Sequence, residues 1–298
     1  MKKTFMAALI GTFALVSCGN HKNAETQTAD TAAALDSIIK KGVMTVDTLN
    51  GFNLHVYQTN DPMADASFII EGNDSLVLME LPLFKDNAEE FEAYVAALKK
   101  PVAKIITDYH LGGLEGHKTT MPAGMAEFIS GPVYSGMMQN FAQTFGDAIV
   151  PLPHNEVEEM AFDVPEKFAG VEFEMRKGAT SDFPGASIII GKQVYFTHWA
   201  PSKAHISNLQ VSSAGAIDAE IAEAKNELAS GTTVFIGGHG GQTDKEAVEF
   251  KIAYLEKAKE LLAANKTPDD FVSAMKEVYP GLPMEQNLQP LADALYSK

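Results

Sequence analysis

Cysteine is almost absent from this sequence of 298 residues, in which Cys18 is the only one. No disulfide can therefore form within the chain, although disulfides are common in exported proteins. The residues beyond Cys18 also have no thiolate to offer as a nucleophile or as a zinc ligand. A catalytic or metal site there must be built from histidine, carboxylate or hydroxyl groups.

Positive charge is also scarce. The sequence has 23 lysine and arginine residues against 39 aspartate and glutamate residues, which gives a formal net charge of −16 at pH 7. Such a surface repels the phosphates of nucleic acids and the headgroups of anionic membranes. We therefore expect no nucleic-acid partner, and the sequence identifies no protein partner.

The apolar stretch at residues 5–16 is too short for a membrane-spanning helix. It follows Lys2 and Lys3, an order typical of a secretory signal. It runs into the letters LVSC, which resemble the bacterial lipobox, whose cysteine becomes the lipidated N-terminus. We therefore predict lipidation at Cys18. The alternative is an ordinary signal peptide with an incidental cysteine.

The lipobox divides the chain into three predicted parts. A signal peptide is expected at 1–17, a polar and flexible tether at 18–34, and a folded domain with C-terminal helices at 35–298. The lipid at Cys18 would be the only contact with a membrane. We expect the protein to be anchored in the bacterial cell envelope, on the periplasmic side or at the cell surface.

The spacing of apolar residues predicts a layered α/β protein. In the first half, the pattern predicts strands at 43–49, 53–58, 67–71, 75–81 and 101–107. A helix is predicted to begin at Asp86, because Glu89 stands three residues later, as in a capping box. The second half repeats the arrangement, with strands predicted at 171–175, 186–190, 193–197 and 232–236 and helices at 218–229, 245–265, and from about 267 and 285.

Histidines follow three of these predicted strands. His110 comes after the strand at 101–107 together with Asp108, His198 follows the strand at 193–197, and His239 follows 232–236 after two glycines. Small residues after a strand let the backbone turn sharply. Because α/β proteins bind their ligands at strand ends, we expect these side chains to share one cleft.

The order of the elements resembles the metallo-β-lactamase superfamily over residues 43–265. The matching stretches are, in chain order, SFIIEGNDSLVLMELPL, VAKIITDYH, GPVYSG, GATSDFPGASIIIGKQVYFT and TTVFIGGHGG. The resemblance implies a four-layer αβ/βα sandwich with a metal site at the top edge of its two sheets. It also implies hydrolysis, since members of that superfamily cleave lactams, thioesters, lactones and phosphodiesters.

The metal motifs of that superfamily match this chain less well. Its first motif, His-x-His-x-Asp-His, aligns without gaps to residues 108–113, where His110 is the second histidine and glycines take the last two places. A gapped alignment places His110 at the last histidine, and both alignments remain open. Ala179 stands at the next ligand position, the bridging aspartate falls near Trp199, and the strand-end aspartate is Glu80. The usual two-zinc site is therefore not expected.

Four residues remain as candidates for a site with one zinc ion. We expect His110, His198 and His239 to be the metal ligands, and Asp108 to be a ligand or the catalytic base, with His205 as a reserve ligand. In the alternative interpretation no metal binds. The histidines then hydrogen-bond to each other or to the backbone, and Asp108 only caps its turn.

The altered ligand loops favour a protein that has kept the fold without the chemistry and binds a small ligand. The alternative is a divergent zinc-dependent hydrolase with an atypical mononuclear site, acting on an ester, thioester, lactone, amide or phosphoester. A third hypothesis is general-base catalysis without metal by a pair of Asp108 and His110. The sequence supplies no obvious nucleophile for this third hypothesis.

Overall fold

Two β-sheets form the centre of the structure, and helices pack on their outer faces. The computed structural model describes residues 35, 37–108, 110, 114, 116–150, 156–178 and 186–297. The compact unit Ile38–Lys298 contains all of the elements named below. The predicted signal peptide, the tether and Cys18 lie outside the described residues, as do Gly112, Gly113 and Ala179.

The first sheet has seven strands in the order in which they occur along the chain. Its first four strands are antiparallel, and β4 to β7 are parallel to one another. The strands are β1 (Val43–Leu49), β2 (Phe52–Gln58), β3 (Ala66–Glu71), β4 (Leu76–Met79), β5 (Val102–Ile106), β6 (Thr119–Pro122) and β7 (Val157–Met160).

The second sheet has six strands in the order β13-β12-β11-β10-β9-β8. Its strands are antiparallel except for the pair β11 and β12, which is parallel. They are β8 (Glu166–Phe168), β9 (Val171–Lys177), β10 (Ala186–Ile190), β11 (Val194–Trp199), β12 (Val234–His239) and β13 (Gly241–Thr243).

The main hydrophobic core lies between the two sheets. It contains buried residues of β2 to β5 on one side and of β9 to β12 on the other. Phe68 of β3 and Phe196 of β11 meet edge to face across this core, with 6.1 Å between ring centroids. Aromatic and branched residues on alternate positions of each strand supply the apolar surface that holds the sheets together.

The helices cover the outer faces of both sheets. They are α1 (Lys85–Ala97), α2 (Met125–Ile129), α3 (Pro132–Phe145), α4 (Ala214–Ala229), α5 (Lys245–Ala264), α6 (Pro268–Val278) and α7 (Leu288–Tyr296), with short 3₁₀ turns at Gly146–Ala148 and Glu285–Asn287. Phe91 of α1 packs on Tyr57 of the first sheet. Ala224 of α4 and Val248 of α5 pack on Phe235 of the second sheet. The structure thus confirms the αβ/βα sandwich.

The strands predicted from the sequence are present, with ends shifted by no more than three residues. The starts of two helices differ from the predicted ones. Helix α1 begins at Lys85 after Phe84, which makes no side-chain cap. Asp86 lies inside the first turn, where its carboxylate pairs with Lys41 at 2.9 Å. The predicted capping box was therefore wrong. Helix α4 begins earlier than predicted because Ser213 accepts a hydrogen bond from the backbone N–H of Ala216.

The region 119–160 was left without predicted elements, although it contains β6, β7, α2 and α3. Met121 and Met125 of this region are buried with Tyr134 in a small core. Within the part of the chain that the structure describes, no helix is long and apolar enough to cross a membrane.

Four strand ends meet at one edge of the sandwich. Strands β4 and β5 are parallel neighbours in the first sheet, and β11 and β12 are parallel neighbours in the second. The loop before β3 joins the two sheets at this edge, because the backbone N–H of Gly240 donates to the carbonyl of Ala64 at 3.2 Å. Residues at the ends of these four strands, or just after them, are therefore brought together.

Candidate metal site

Three histidines from three different strand ends converge at this edge. The ring centroids of His110 and His198 are 4.8 Å apart, those of His198 and His239 are also 4.8 Å apart, and those of His110 and His239 are 5.2 Å apart. One ring nitrogen of each histidine lies within 4.8 Å of those of the other two. We call this group the three-histidine cluster. The residues predicted as metal ligands are thus neighbours in the fold.

Each imidazole of the cluster contacts a different carboxylate through its Nδ1 atom. Nδ1 of His110 lies 2.8 Å from Oε2 of Glu80. Nδ1 of His198 lies 2.6 Å from Oδ2 of Asp108. Nδ1 of His239 lies 2.8 Å from Oδ1 of Asp65 and makes its hydrogen bond with the carbonyl of Met63 at 3.2 Å. A carboxylate on Nδ1 fixes the tautomer and orientation of the ring, so that Nε2 is the nitrogen that would bind a metal.

The strand ends fix Glu80 and Asp108 in place. The backbone N–H of Asp108 donates to Oε1 of Glu80 at 2.9 Å, which ties the end of β5 to the end of β4. Glu80 has a φ of +51°, a left-handed conformation that is uncommon for residues other than glycine. Non-glycine residues in this conformation are over-represented at functional sites. The hydroxyl of Thr107 donates to the carbonyl of His110 at 2.9 Å, which ties His110 to the end of β5.

Two glycines in β12, just before His239, let this histidine approach the other two. A Cβ atom on Gly237 would lie 2.2 Å from the backbone nitrogen of Ala200, so no other residue fits there without a backbone shift. A Cβ atom on Gly238 would lie 3.5 Å from both Glu80 and His110, which shows how closely this backbone passes the cluster. The small residues singled out in the sequence therefore serve close approach.

Burial and charge set the protonation of the cluster. Burial lowers the pKa of His198 to about 4 against the opposing charge and hydrogen bond of Asp108. Burial and the charge of Asp108 raise the pKa of Glu80. Burial alone would lower the pKa of His110, but the hydrogen bond and charge of Glu80 outweigh it and raise the pKa. Near neutral pH, His198 is therefore uncharged, whereas the pair of His110 and Glu80 retains a proton.

These residues fit a single zinc ion in the chemistry of their donors. Three neutral imidazole nitrogens are a common ligand set for zinc, and a tetrahedral ion with bonds of about 2.1 Å requires its ligand atoms about 3.4 Å apart. The nitrogens of the cluster lie within 4.8 Å of one another, which brings all three to the neighbourhood of one ion. A second group capable of metal binding is formed by Glu80, Asp108 and His110. Oε2 of Glu80 is buried there and lies 2.8 Å from Nδ1 of His110.

Trp199 lies beside the cluster. Its indole stacks on the ring of His239 with 4.2 Å between centroids and meets the ring of His198 edge to face at 5.5 Å. In the sequence, this residue stands near the place of the bridging aspartate. The structure shows an aromatic wall at that place, and His198 as the metal-capable neighbour.

Two other histidines that the structure describes lie away from the cluster. The reserve candidate His205 is buried in the helical layer, where its Nδ1 contacts the hydroxyl of Tyr254 at 3.0 Å. It belongs to neither of the two metal-capable groups found among the described residues. His55, to which the sequence gave no role, is buried between the hydroxyl of Tyr94 and the carboxylate of Glu71. Both histidines have structural contacts.

Sequence reasoning missed Asp65. This residue lies just before β3, and the only local signal is its position in the turn-rich stretch NDPMAD. The structure brings it to the end of β12, where Asp65 and His239 form an isolated β-bridge. Asp61 of the same loop accepts hydrogen bonds from the backbone N–H groups of Met63 and Asp65 and so shapes the turn.

Comparisons with known proteins give a fold and no sequence family. No protein-family model matches the chain, and a search of curated proteins finds no significant match. Among solved structures, the chain is similar to the stereoselective inverting sec-alkylsulfatase Pisa1 from a Pseudomonas species, with a TM-score of 0.57 and 16% identity. That match covers 85% of this chain and 50% of the alkylsulfatase, so this chain spans about half the length of that protein.

Two shorter proteins match over nearly their whole length. One is the metallo-β-lactamase superfamily protein ST1585 from Sulfolobus tokodaii, with a TM-score of 0.52, 12% identity, and coverage of 80% of this chain and 98% of that protein. The other is the metallo-β-lactamase DIM-1, with a TM-score of 0.51, 12% identity, and coverage of 74% and 100%. Similarity at this level of identity concerns the fold alone. The chain therefore has the metallo-β-lactamase fold.

Proposed function

We propose that this protein is a divergent metal-dependent hydrolase that holds one zinc ion between His110, His198 and His239. The observation that carries the proposal is the arrangement of the three imidazoles, each with its Nδ1 on a separate carboxylate at 2.6 to 2.8 Å. Histidines that bind metal usually donate their second ring N–H to such a partner. Histidines in an apolar core need no such set of three carboxylates.

Each residue of the site has a distinct task in this proposal. The three histidines would hold the ion, while Glu80, Asp108 and Asp65 fix the orientation of the rings. A zinc ion with three protein ligands supplies Lewis-acid activation of water for attack on a carbonyl or phosphoryl centre. Asp108 acts through His198, because its carboxylate is fully buried and contacts that ring. The substrate class is an ester, thioester, lactone, amide or phosphoester.

The second candidate function is binding of a small ligand without turnover. The observation that favours it is the position of Trp199, whose indole lies against His239 beside the cluster. An indole there restricts the room for a substrate next to the metal ligands. The raised pKa of His110 beside Glu80 also favours the protonated form of one of the three ligands, and metal binding must displace that proton.

The metal content of the purified protein tests whether the cluster binds zinc. The purified protein should bind one equivalent of Zn²⁺ by elemental analysis after loading and dialysis. Substitution of any one cluster histidine by alanine should abolish this binding, whereas His117→Ala, in a loop outside the cluster, should retain it. A protein that retains no transition metal after loading would refute the zinc site.

Turnover then decides between the two candidates. The zinc-loaded protein should hydrolyse at least one compound in a panel of activated esters, thioesters, lactones and amides, and His198→Ala should lose that activity. A loaded protein that leaves the whole panel intact while it binds small ligands would support the non-catalytic function.

We also propose that Cys18 is lipidated and anchors the protein in the cell envelope. The support is the order of basic, apolar and LVSC residues at the N-terminus. Expression in bacteria with a radiolabelled fatty acid should label the wild type and leave Cys18→Ala unlabelled. Equal labelling of both proteins would contradict the anchor. The acidic composition argues that the lipid alone contacts the membrane and that nucleic acid is not a partner.

A further inference from the structure

Acidic side chains crowd around the three-histidine cluster. Glu80, Asp108 and Asp65 contact its rings directly. Asp61 adds a fourth carboxylate in the same loop as Asp65, whose backbone N–H donates to Oδ1 of Asp61 at 3.3 Å. Glu80 and Asp108 are buried. Water and salt therefore screen their charge less than they screen charges on the surface.

Basic side chains do not balance this charge. In the described part of the chain, no ion pair joins a lysine or an arginine to Asp61, Asp65 or Glu80. The single arginine of the sequence, Arg176, pairs with Asp163 and Glu174.

Recognition of an anionic substrate needs cationic groups. Proteins that bind phosphate, sulfate or carboxylate groups usually place arginine, lysine or a helix N-terminus at them. A divalent ion at the cluster would offset only part of the charge of the four carboxylates. The net charge of −16 on the whole chain adds long-range repulsion of anions.

Trp199 gives the same edge of the site an aromatic wall, stacked on His239 at 4.2 Å. The face of an indole attracts cations and packs well against flat uncharged groups. The indole of Trp199 and the carboxylates around the cluster thus both favour a positively charged ligand over an anionic one.

We propose that this site accepts uncharged or positively charged substrates and discriminates against anionic ones. The inference rests on the proposed function, and it narrows the substrate class to neutral or ammonium-bearing esters, lactones, thioesters and amides. Phosphoesters, sulfate esters and acyl compounds with a carboxylate near the scissile bond are disfavoured by the charge of the site.

Binding of matched hydroxamates to the metal-loaded protein tests this inference without any need for turnover. The probes are benzohydroxamic acid, its 4-carboxy derivative and its 4-trimethylammoniomethyl derivative, which share the chelating group and differ in charge. Dissociation constants are measured by titration calorimetry and by the absorption of protein loaded with Co²⁺. At low salt, the carboxylate probe should bind at least about ten-fold more weakly than the neutral probe. The cationic probe should bind at least as tightly as the neutral one, and the differences should shrink at 0.5 M NaCl.

Two variants separate a local effect from the overall charge. Asp61→Asn removes one charge beside Asp65 and keeps the Oδ1 acceptor of the turn. It should therefore lower the ratio of the dissociation constants of the carboxylate and neutral probes several-fold. Asp74→Asn changes the net charge equally, but it lies in the exposed turn before β4, at the opposite end of that strand from Glu80. Asp74→Asn should leave the ratio of the two dissociation constants unchanged.

The outcomes are distinguishable. Metal binding together with equal or tighter binding of the carboxylate probe overturns the inference and leaves the zinc site standing. Equal effects of Asp61→Asn and Asp74→Asn also overturn the inference, because the discrimination would then come from the whole surface. Absence of metal from the loaded protein removes both the proposed function and the inference that rests on it.

Discussion

A buried glutamate in the helical layer makes the stability of this protein depend on pH. Glu227 of α4 has no exposed surface, and neither of its carboxylate oxygens has a hydrogen-bond partner among the described residues. The nearby cation Lys251 is already engaged with Glu220 at 2.6 Å. Burial therefore raises the pKa of Glu227 to about 7 against the opposing charge of Lys251, from an ordinary 4.5.

The sign of the effect follows from proton binding. Between pH 4.5 and 7 the folded state holds a proton on Glu227 that the unfolded state has released, so stability falls as the pH rises through this range. The difference in pKa corresponds to about 3 kcal/mol, which is lost in full above pH 7. Glu227→Gln removes the titration and preserves the shape of the side chain.

Urea denaturation of the wild type and of Glu227→Gln at pH 4.5, 6 and 8 measures this effect. The free energy of unfolding of the variant, relative to the wild type, should rise by about 3 kcal/mol from pH 4.5 to pH 8. The control is Glu256→Gln on α5, which removes an exposed partner of Lys225 on α4. It should change the free energy of unfolding by less than about 1 kcal/mol at every pH. If the free energies of unfolding of the wild type and of Glu227→Gln differed by the same amount at all three pH values, the reasoning would be refuted.

Three further predictions concern the site and the fold. Asp65→Asn should weaken zinc binding about 10- to 100-fold in a chelator competition, because the variant loses the carboxylate charge that lies beside Nδ1 of His239. A zinc affinity equal to that of Asp74→Asn would contradict this prediction. Gly237→Ala should lower the free energy of unfolding by about 2 kcal/mol or more in urea, because its Cβ would strike the backbone of Ala200. Ser213→Ala should cost about 1 kcal/mol through the lost cap of α4, and an unchanged urea midpoint would count against the cap.

The strands were predictable because their signal is local. Alternating or continuous apolar residues at 43–49, 67–71 and 186–190 depend only on which faces of a strand are buried. The helix boundary at Asp86 was wrong because a capping pattern is weak on its own. Asp86 lies inside the first turn of the helix and pairs with Lys41, a residue far away in the sequence.

The elements of 119–160 were missed for a similar reason. Strand β6 consists of Thr119–Pro122, a short stretch that ends in proline and has no alternating pattern, and its pairing with β5 and β7 makes it a strand. Pairing between strands is a tertiary contact, so the sequence of a four-residue segment does not reveal it.

The sequence by itself determined that this chain forms layered sheets and helices, has no thiol chemistry beyond Cys18, is strongly acidic, and carries histidines just after three strands. Those properties depend on composition and short-range spacing. Only the tertiary structure decided that His110, His198 and His239 form one cluster and that Glu80, Asp108 and Asp65 are their partners. Such convergence depends on the register of parallel strands and on the packing of one sheet against the other, which no local pattern encodes.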